Sequence, residues 1–287
     1  TGLSSYGELL TNLLGKTLGR FADIWISSML FAGLVIMLAG CEATLQQQFN
    51  IAGIPALIIS SALILFTMAQ GEKGVLQLNS VLIPLLVVIT VLVAVLAMGN
   101  SSGKHLLPTE NRFAFGSWFL AAILYVSYNM ILGTVILSSL EVSNLKNLWG
   151  GFWGGLGLGL LAAAIVVGLL ANYTQIAGQS VPMLFLAQDF GLLKYLYVFV
   201  LWFAMLTTAV ANVFGLVKRM GSLLPAPSML WALLLLMAAS FLTPLGFTKL
   251  VATLYPFFGY IGLLLLGGLI RSILLNSYKY VKSYFKP

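Results

Sequence analysis

Charge is scarce in this sequence. Of 287 residues only 7% are Asp, Glu, Lys or Arg, against about 25% in soluble domains. With 60% of the chain hydrophobic, there is too little polar material to cover one soluble core. The one His, one Cys and seven acids leave few means for enzymatic chemistry. His105 has no second His with which to share a metal. No Ser-His-Asp set can be assembled around it, and no glycine-rich loop ends in Gly-Lys-Ser/Thr. The chain is therefore not expected to be an enzyme. The single Cys41 excludes an internal disulfide and says little about compartment. The start lacks the positively charged, apolar and cleavage regions of a secretory signal. The chain opens on Thr1 rather than Met, as a fragment would.

What is present is long apolar runs. Lipid offers no hydrogen bonds, so only helices and closed barrels cross it. A barrel would show short strands of alternating polarity. The runs here are continuous and of the ~20 residues that a helix needs to span the hydrocarbon core. Eight can be counted, over 21–44, 53–70, 76–98, 114–140, 150–171, 193–217, 228–245 and 248–274. The expected fold is all-α: a polytopic transmembrane helix bundle of eight spans, with residues 1–287 forming a single transmembrane domain. The longest loops run over 99–113 and 172–192. The second holds the apolar stretch Val181 to Leu186, too short to span, which reads as a short helix at the membrane interface.

Placement of Lys and Arg sets the orientation. Eight spans put both ends on one side, with Lys16, Arg20, Lys73, Lys146, Lys218, Arg219, Arg271, Lys279, Lys282 and Lys286. Lys104, Arg112, Lys194 and Lys249 fall on the other. Ten against four places both termini in the cytoplasm, in a cell (plasma) membrane. The net charge of +7 then reflects this bias and attraction to anionic headgroups. The basic residues are scattered, so no nucleic-acid partner is indicated. The expected partners are the lipid bilayer and a small polar solute; oligomeric state is not legible.

Polar groups inside spans carry the functional argument, because in hydrocarbon they cost free energy unless they find partners or line a cavity. Tyr125, Tyr128 and Asn129, flanking Ser127, share one helix face by their spacing. They either line a substrate cavity or bond neighbouring helices. Thr207 and Thr208, with Asn212 beyond, make a hard-oxygen group suited to Na⁺; the plainer reading is that each hydroxyl bonds a carbonyl one turn back. Glu42, followed by Gln46, Gln47 and Gln48, is either a proton site or an acid reaching the outer interface. Asp23 reads as a solvated acid at a helix start, favoured by the helix dipole. Asn79 and Ser80 with Pro84 indicate a kink or a polar contact. Gly151, Gly155 and Gly159 form a stripe that reads as close helix packing. Pro256 predicts a kink. Asn100-Ser101-Ser102 and Asn172-Tyr173-Thr174 match the glycosylation triplet, a weak signal.

An ordered set of segments resembles the uncharacterised YkvI-type bacterial membrane proteins. It comprises Leu38-Ala39-Gly40, Gln48-Phe49, Gly74-Val75-Leu76, Asn79 to Pro84, Tyr125 to Asn129, Pro182-Met183-Leu184, Thr207 to Asn212, and Leu254 to Tyr260. The pattern departs at one corner, where Gln46 and Gln47 stand in place of acids and Glu42 in place of a small residue. This family resembles a branch of the amino acid–polyamine–organocation transporters, similar in fold to LeuT, with five-plus-five inverted repeats. The resemblance implies that the eight spans correspond to helices 3–10 of that fold, two helices ahead of Ser4-Ser5-Tyr6 being absent. It implies that the helix carrying Tyr125, Ser127, Tyr128 and Asn129 is broken there to hold substrate. It also implies that Thr207 and Thr208 bind Na⁺ as a coupling ion. The expected function is a secondary transporter (permease) of a small polar solute such as an amino acid. Coupling to Na⁺ or H⁺ is open, and a transporter-like sensor or a structural subunit is the alternative.

Overall fold

The computed structural model describes residues 16–100, 118–137 and 145–284. Residues 1–15, 101–117 (with His105), 138–144 and 285–287 lie outside them. Among the described residues there are ten α-helices, one 3₁₀ turn (Thr243–Leu245) and no strand. The helices are α1 (Lys16–Phe49), α2 (Ile54–Ala69), α3 (Glu72–Gly99), α4 (Trp118–Leu137) and α5 (Leu145–Ala171). Two short ones follow, α6 (Tyr173–Ile176) and α7 (Pro182–Ala187), and then α8 (Leu192–Leu223), α9 (Ser228–Ser240) and α10 (Phe247–Tyr284).

Among the described residues, six stretches are long and apolar enough to cross a membrane: Gly19–Phe49, Asn79–Gly99, Trp149–Ala171, Leu192–Leu223, Ser228–Leu245 and Phe247–Gly268. The chain is thus a multi-pass helical membrane protein. They match six of the eight expected runs. The other two also form helices but fall short by this measure. Helix α2 has 16 residues, a rise of about 24 Å against a ~30 Å core. In α4 the apolar stretch among residues with described side chains is Trp118–Met130.

The described residues fall into two compact units. Unit 1 joins residues up to Met29, Arg112–Val142 and Val251 onward; unit 2 joins Leu30–Asn111 and Ser143–Leu250. In unit 2, α3 packs on α5, α7 and α8, while α2 and α9 pack on each other and on α8. Its apolar core gathers Val93, Ala94 and Ala97 of α3, Leu184 and Ala187 of α7, and Tyr197 and Val200 of α8. The short helix α7 confirms the reading of 181–186 as helical. Its Met183, Leu184, Leu186 and Ala187 are buried, so it is packed into a protein core rather than laid on a surface.

Helices α1 and α8 run antiparallel at close range. A Cβ added at Gly33 would lie 2.8 Å from Asn212 Nδ2, one at Gly40 2.7 Å from Met205 Sδ, and one at Gly215 2.9 Å from Leu30 Cδ1. As the position on α1 advances from 30 to 40, its partner on α8 falls from 215 to 205. These glycines, with Gly168 on α5 against Ala94, permit the close approach expected of Gly151, Gly155 and Gly159. That expectation is corrected: a Cβ at any of those three meets nothing within 4 Å, because that half of α5 is exposed along Trp149 to Leu160.

Polar side chains close the turns of unit 2. Glu42 Oε1 accepts the Gly53 N–H at 2.9 Å, holding the link into α2. The Gln47 amide donates to the Val181 carbonyl and accepts from the Val181 N–H, both at 3.3 Å, and so fastens the segment before α7. Asn172 Nδ2 donates to the carbonyls of Ala97 and Gly168, each at 3.0 Å. Asn172 is only 4% exposed, which removes it as a glycosylation acceptor.

Candidate functional site

Unit 1 is built from the first part of α1, from α4 and from α10 beyond Val251. Helix α4 contains no Gly or Pro before Gly133, and it is continuous from Trp118 to Leu137. The break implied over Tyr125 to Asn129 is therefore absent, and those residues sit inside a continuous stretch of helix. Helices α4 and α10 touch where Gly259 leaves room for Leu124, whose Cβ, O and Cα would lie 2.7, 2.9 and 3.1 Å from an added Cβ. Ser127, fully buried, donates to the Gly259 carbonyl at 2.9 Å. Of the four α4 residues, Ser127 thus serves as a pin between helices.

The other three diverge from Ser127 in environment. Tyr128 is 9% exposed, its ring stacked on Tyr255 of α10 at 4.9 Å between centroids and 27° between planes. Tyr125 is 62% exposed and meets Tyr128 edge to face at 5.5 Å. Asn129 is exposed, and its Nδ2 donates to the Tyr125 carbonyl one turn back at 2.8 Å. The structure thus brings Tyr125, Tyr128 and Asn129 together, as their spacing requires, and adds Tyr255. The sequence signal for Tyr255 was its position before Pro256, which reads as a kink and nothing more. Nearby, Trp25 of α1 lies edge-on to Phe257 and Phe258, at 5.4 and 5.5 Å.

Asp23 departs from its reading. It lies seven residues past Lys16, the first described residue of α1, so it is not in a first turn near the helix dipole. It is 7% exposed rather than solvated. A buried acid inside a candidate span is costly, which makes Asp23 a functional candidate that reading by helix position passed over.

In unit 2, Thr207 and Thr208 stand at the midpoint of α8. Both hydroxyls donate to one carbonyl, that of Ala204, at 3.1 and 2.8 Å. Thr207 is buried and Thr208 exposed. Back-bonding and a hard-oxygen cluster are here the same arrangement: three oxygens gathered on one turn, with lone pairs left on both hydroxyls. Among the described residues, no group of three or more His, Cys, Asp or Glu could hold a metal ion. Glu42 stands apart from both clusters in sequence and is engaged with Gly53.

Two curated relatives from Bacillus subtilis (strain 168) share most of this chain. The uncharacterised membrane protein YkvI is 26% identical over 274 residues, covering 93% of the chain and 77% of YkvI. The uncharacterised protein YyaD is 29% identical over 280 residues, covering 94% of the chain and 80% of YyaD. Both are homologues of this chain. No family model matches it, and no solved structure matches it. The homology to YkvI runs through both clusters, since the matched residues take in nearly the whole chain.

Proposed function

We propose that this chain is the membrane core of a secondary transporter that moves a small polar solute, of amino-acid size, by alternating access. One observation carries the reading. Tyr125 and Asn129 present polar groups on the exposed face of α4, two turns from the nearer end of its described length, and residues 118–137 carry no charge. Polar side chains at that depth are stable where they line a cavity and costly against lipid. Transporter folds hold their solutes near the bilayer midplane. On this reading α2 and α4 also span, giving eight helices in a LeuT-like arrangement, and the termini lie in the cytoplasm.

Na⁺ is the coupling ion this reading favours. Thr207 and Thr208 Oγ1, whose protons go to the Ala204 carbonyl, offer hard-oxygen lone pairs, the donor type that small cations prefer. Glu42 is the weaker proton site, since its carboxylate already accepts a backbone N–H.

The test is solute uptake into proteoliposomes with and without a Na⁺ gradient, for the chain and for Asn129→Ala. The variant is expected to lower solute affinity by about 2- to 13-fold, the worth of one hydrogen bond. Binding without flux would replace the transporter by a membrane sensor. Unchanged affinity in Asn129→Ala would remove α4 from the site.

A further inference from the structure

We infer that the edge of unit 2 formed by α2 and α9 carries a locally thinned bilayer, so that this protein fits short-chain phospholipids best. This holds whatever the chain moves, and so goes beyond the transporter reading.

Contacts at the end of α1 fix the direction of α2. The Gln47 side chain is bonded to Val181, just before α7. The last turns of α3 meet the same segment. Val93, Ala94 and Ala97 share a core with Leu184 and Ala187 of α7, and Ala43 of α1 packs against that core. Helices α1 and α3 therefore end on the same side. Both carry stretches long enough to cross a membrane, so α3 begins on the side opposite the end of α1. Helix α2 joins them and has to make the return crossing.

It has little length with which to do so. Its 16 residues rise about 24 Å, against a hydrocarbon core of ~30 Å. Neither flank extends it. The N–H groups of Asn50 and Ile51 are bonded back to Gln46 and Leu45 of α1, and that of Gly53 to Glu42, so α2 starts below the end of α1. At its other end Gln70 and Gly71 turn back onto the carbonyls of Thr67 and Met68. Helix α9, packed on α2, has 13 residues before its 3₁₀ turn, a rise of about 20 Å. A long helix can tilt to fit a bilayer. A short one cannot lengthen, and the bilayer thins around it.

The side chains show what covers this edge. Small residues face inward: Ala56 and Ser60 of α2 and Ala232 and Ala239 of α9 are buried. Bulky ones face out: Ile58, Ile59 and Phe66 on α2, and Leu233, Leu234 and Met237 on α9, are each between 40% and 62% exposed. Close helix association in lipid uses small residues, so this surface suits acyl chains rather than another helix.

The experiment reconstitutes the full chain in phosphatidylcholine vesicles whose monounsaturated chains run from about 14 to about 22 carbons, a series that thickens the core. Melting temperature is read by tryptophan fluorescence. It is expected to be highest with chains of about 14 to 16 carbons and lower by about 5 °C or more with the longest. Nitroxide labels on Ile54→Cys and Ala69→Cys then locate the two ends of α2; both positions are exposed, and Cys41 is fully buried. In chains of about 18 carbons both labels are expected to collide with a water-soluble relaxant more than with oxygen, because the interface dips to meet them. A label on Val88→Cys, exposed within the α3 stretch, is expected to show the reverse. A melting temperature that peaks at about 18 carbons or longer, or does not vary, overturns the inference. So does an α2 label that collides mainly with oxygen. Labels screened from both relaxants would put a protein partner on this edge and overturn lipid as its occupant. Where the cysteine variants do not fold, the vesicle series on the parent chain decides alone. Solute uptake enters none of these readings, so the transporter proposal stands or falls separately.

Discussion

Gly259→Ala isolates the contact that fixes α4 against α10. The added methyl would stand 2.7 Å from Leu124 Cβ, 2.9 Å from Leu124 O and 3.1 Å from Leu124 Cα. Two of these atoms are backbone, so no rotamer change relieves the clash and the helices must separate. Overpacking of this kind costs about 1–3 kcal/mol, and the backbone contacts place it near the upper value. Separation also breaks the Ser127–Gly259 hydrogen bond, worth about 1 kcal/mol. Against this, Ala gains about 1 kcal/mol over Gly in helix propensity. The net expectation is a loss of about 3 kcal/mol. Thermal unfolding in detergent, followed by tryptophan fluorescence, measures it. Ser127→Ala alone should cost about 1 kcal/mol, yet add almost nothing in the Gly259→Ala background, where its bond is already broken. A Gly259→Ala protein as stable as the parent, or more so, with Ser127→Ala fully additive, would refute the argument.

Gly155→Ala should be neutral or stabilising by up to about 1 kcal/mol, since nothing lies within 4 Å of the new methyl; a large drop in melting temperature would show that this face is packed. Asn172→Leu should cost about 2–3 kcal/mol, because it removes two hydrogen bonds and leaves buried carbonyls unpaired, and the same unfolding assay reads it. Gln47→Ala frees both backbone groups of Val181, so hydrogen exchange at Val181 and through α7 should speed up by about tenfold or more; protection as strong as the parent's would show the clasp to be idle.

The helical membrane character was legible because it rests on composition and run length, which tertiary structure does not change. The cluster at Tyr125–Asn129 was legible as far as helical spacing reaches, since residues one turn apart must share a face, and Thr207–Thr208 as adjacent hydroxyls able to bond a carbonyl one turn back. What spacing cannot show is the partner. Ser127 sits beside Tyr128 in sequence, yet its hydroxyl goes to Gly259, and only the α4–α10 crossing decides that. Tyr255 joins the site by the same crossing. The break implied in α4 did not appear, because a run without Gly or Pro gives the helix no reason to stop. Glycine failed as a guide in both directions. The regular stripe at Gly151, Gly155 and Gly159 faces open space, while the close contacts fall at Gly33, Gly40, Gly215 and Gly259, which form no single repeat. Asp23 was misjudged because closeness to the start of an apolar run is not closeness to water.

The antiparallel pairing of α1 with α8 limits how unit 2 can deform. Gly33 and Gly40 on one helix and Gly215 on the other each receive a particular side chain from the opposite helix. A slide of one turn, about 5.4 Å, would withdraw all three at once and set Asn212, Met205 and Leu30 against residues that carry a Cβ. Sliding is therefore barred at several points together, while rotation of the joined helices as one piece costs none of these contacts. Residues 30–40 and 205–215 form a strut whose length and register stay constant, so any motion within this unit has to pivot about the strut or bend outside it.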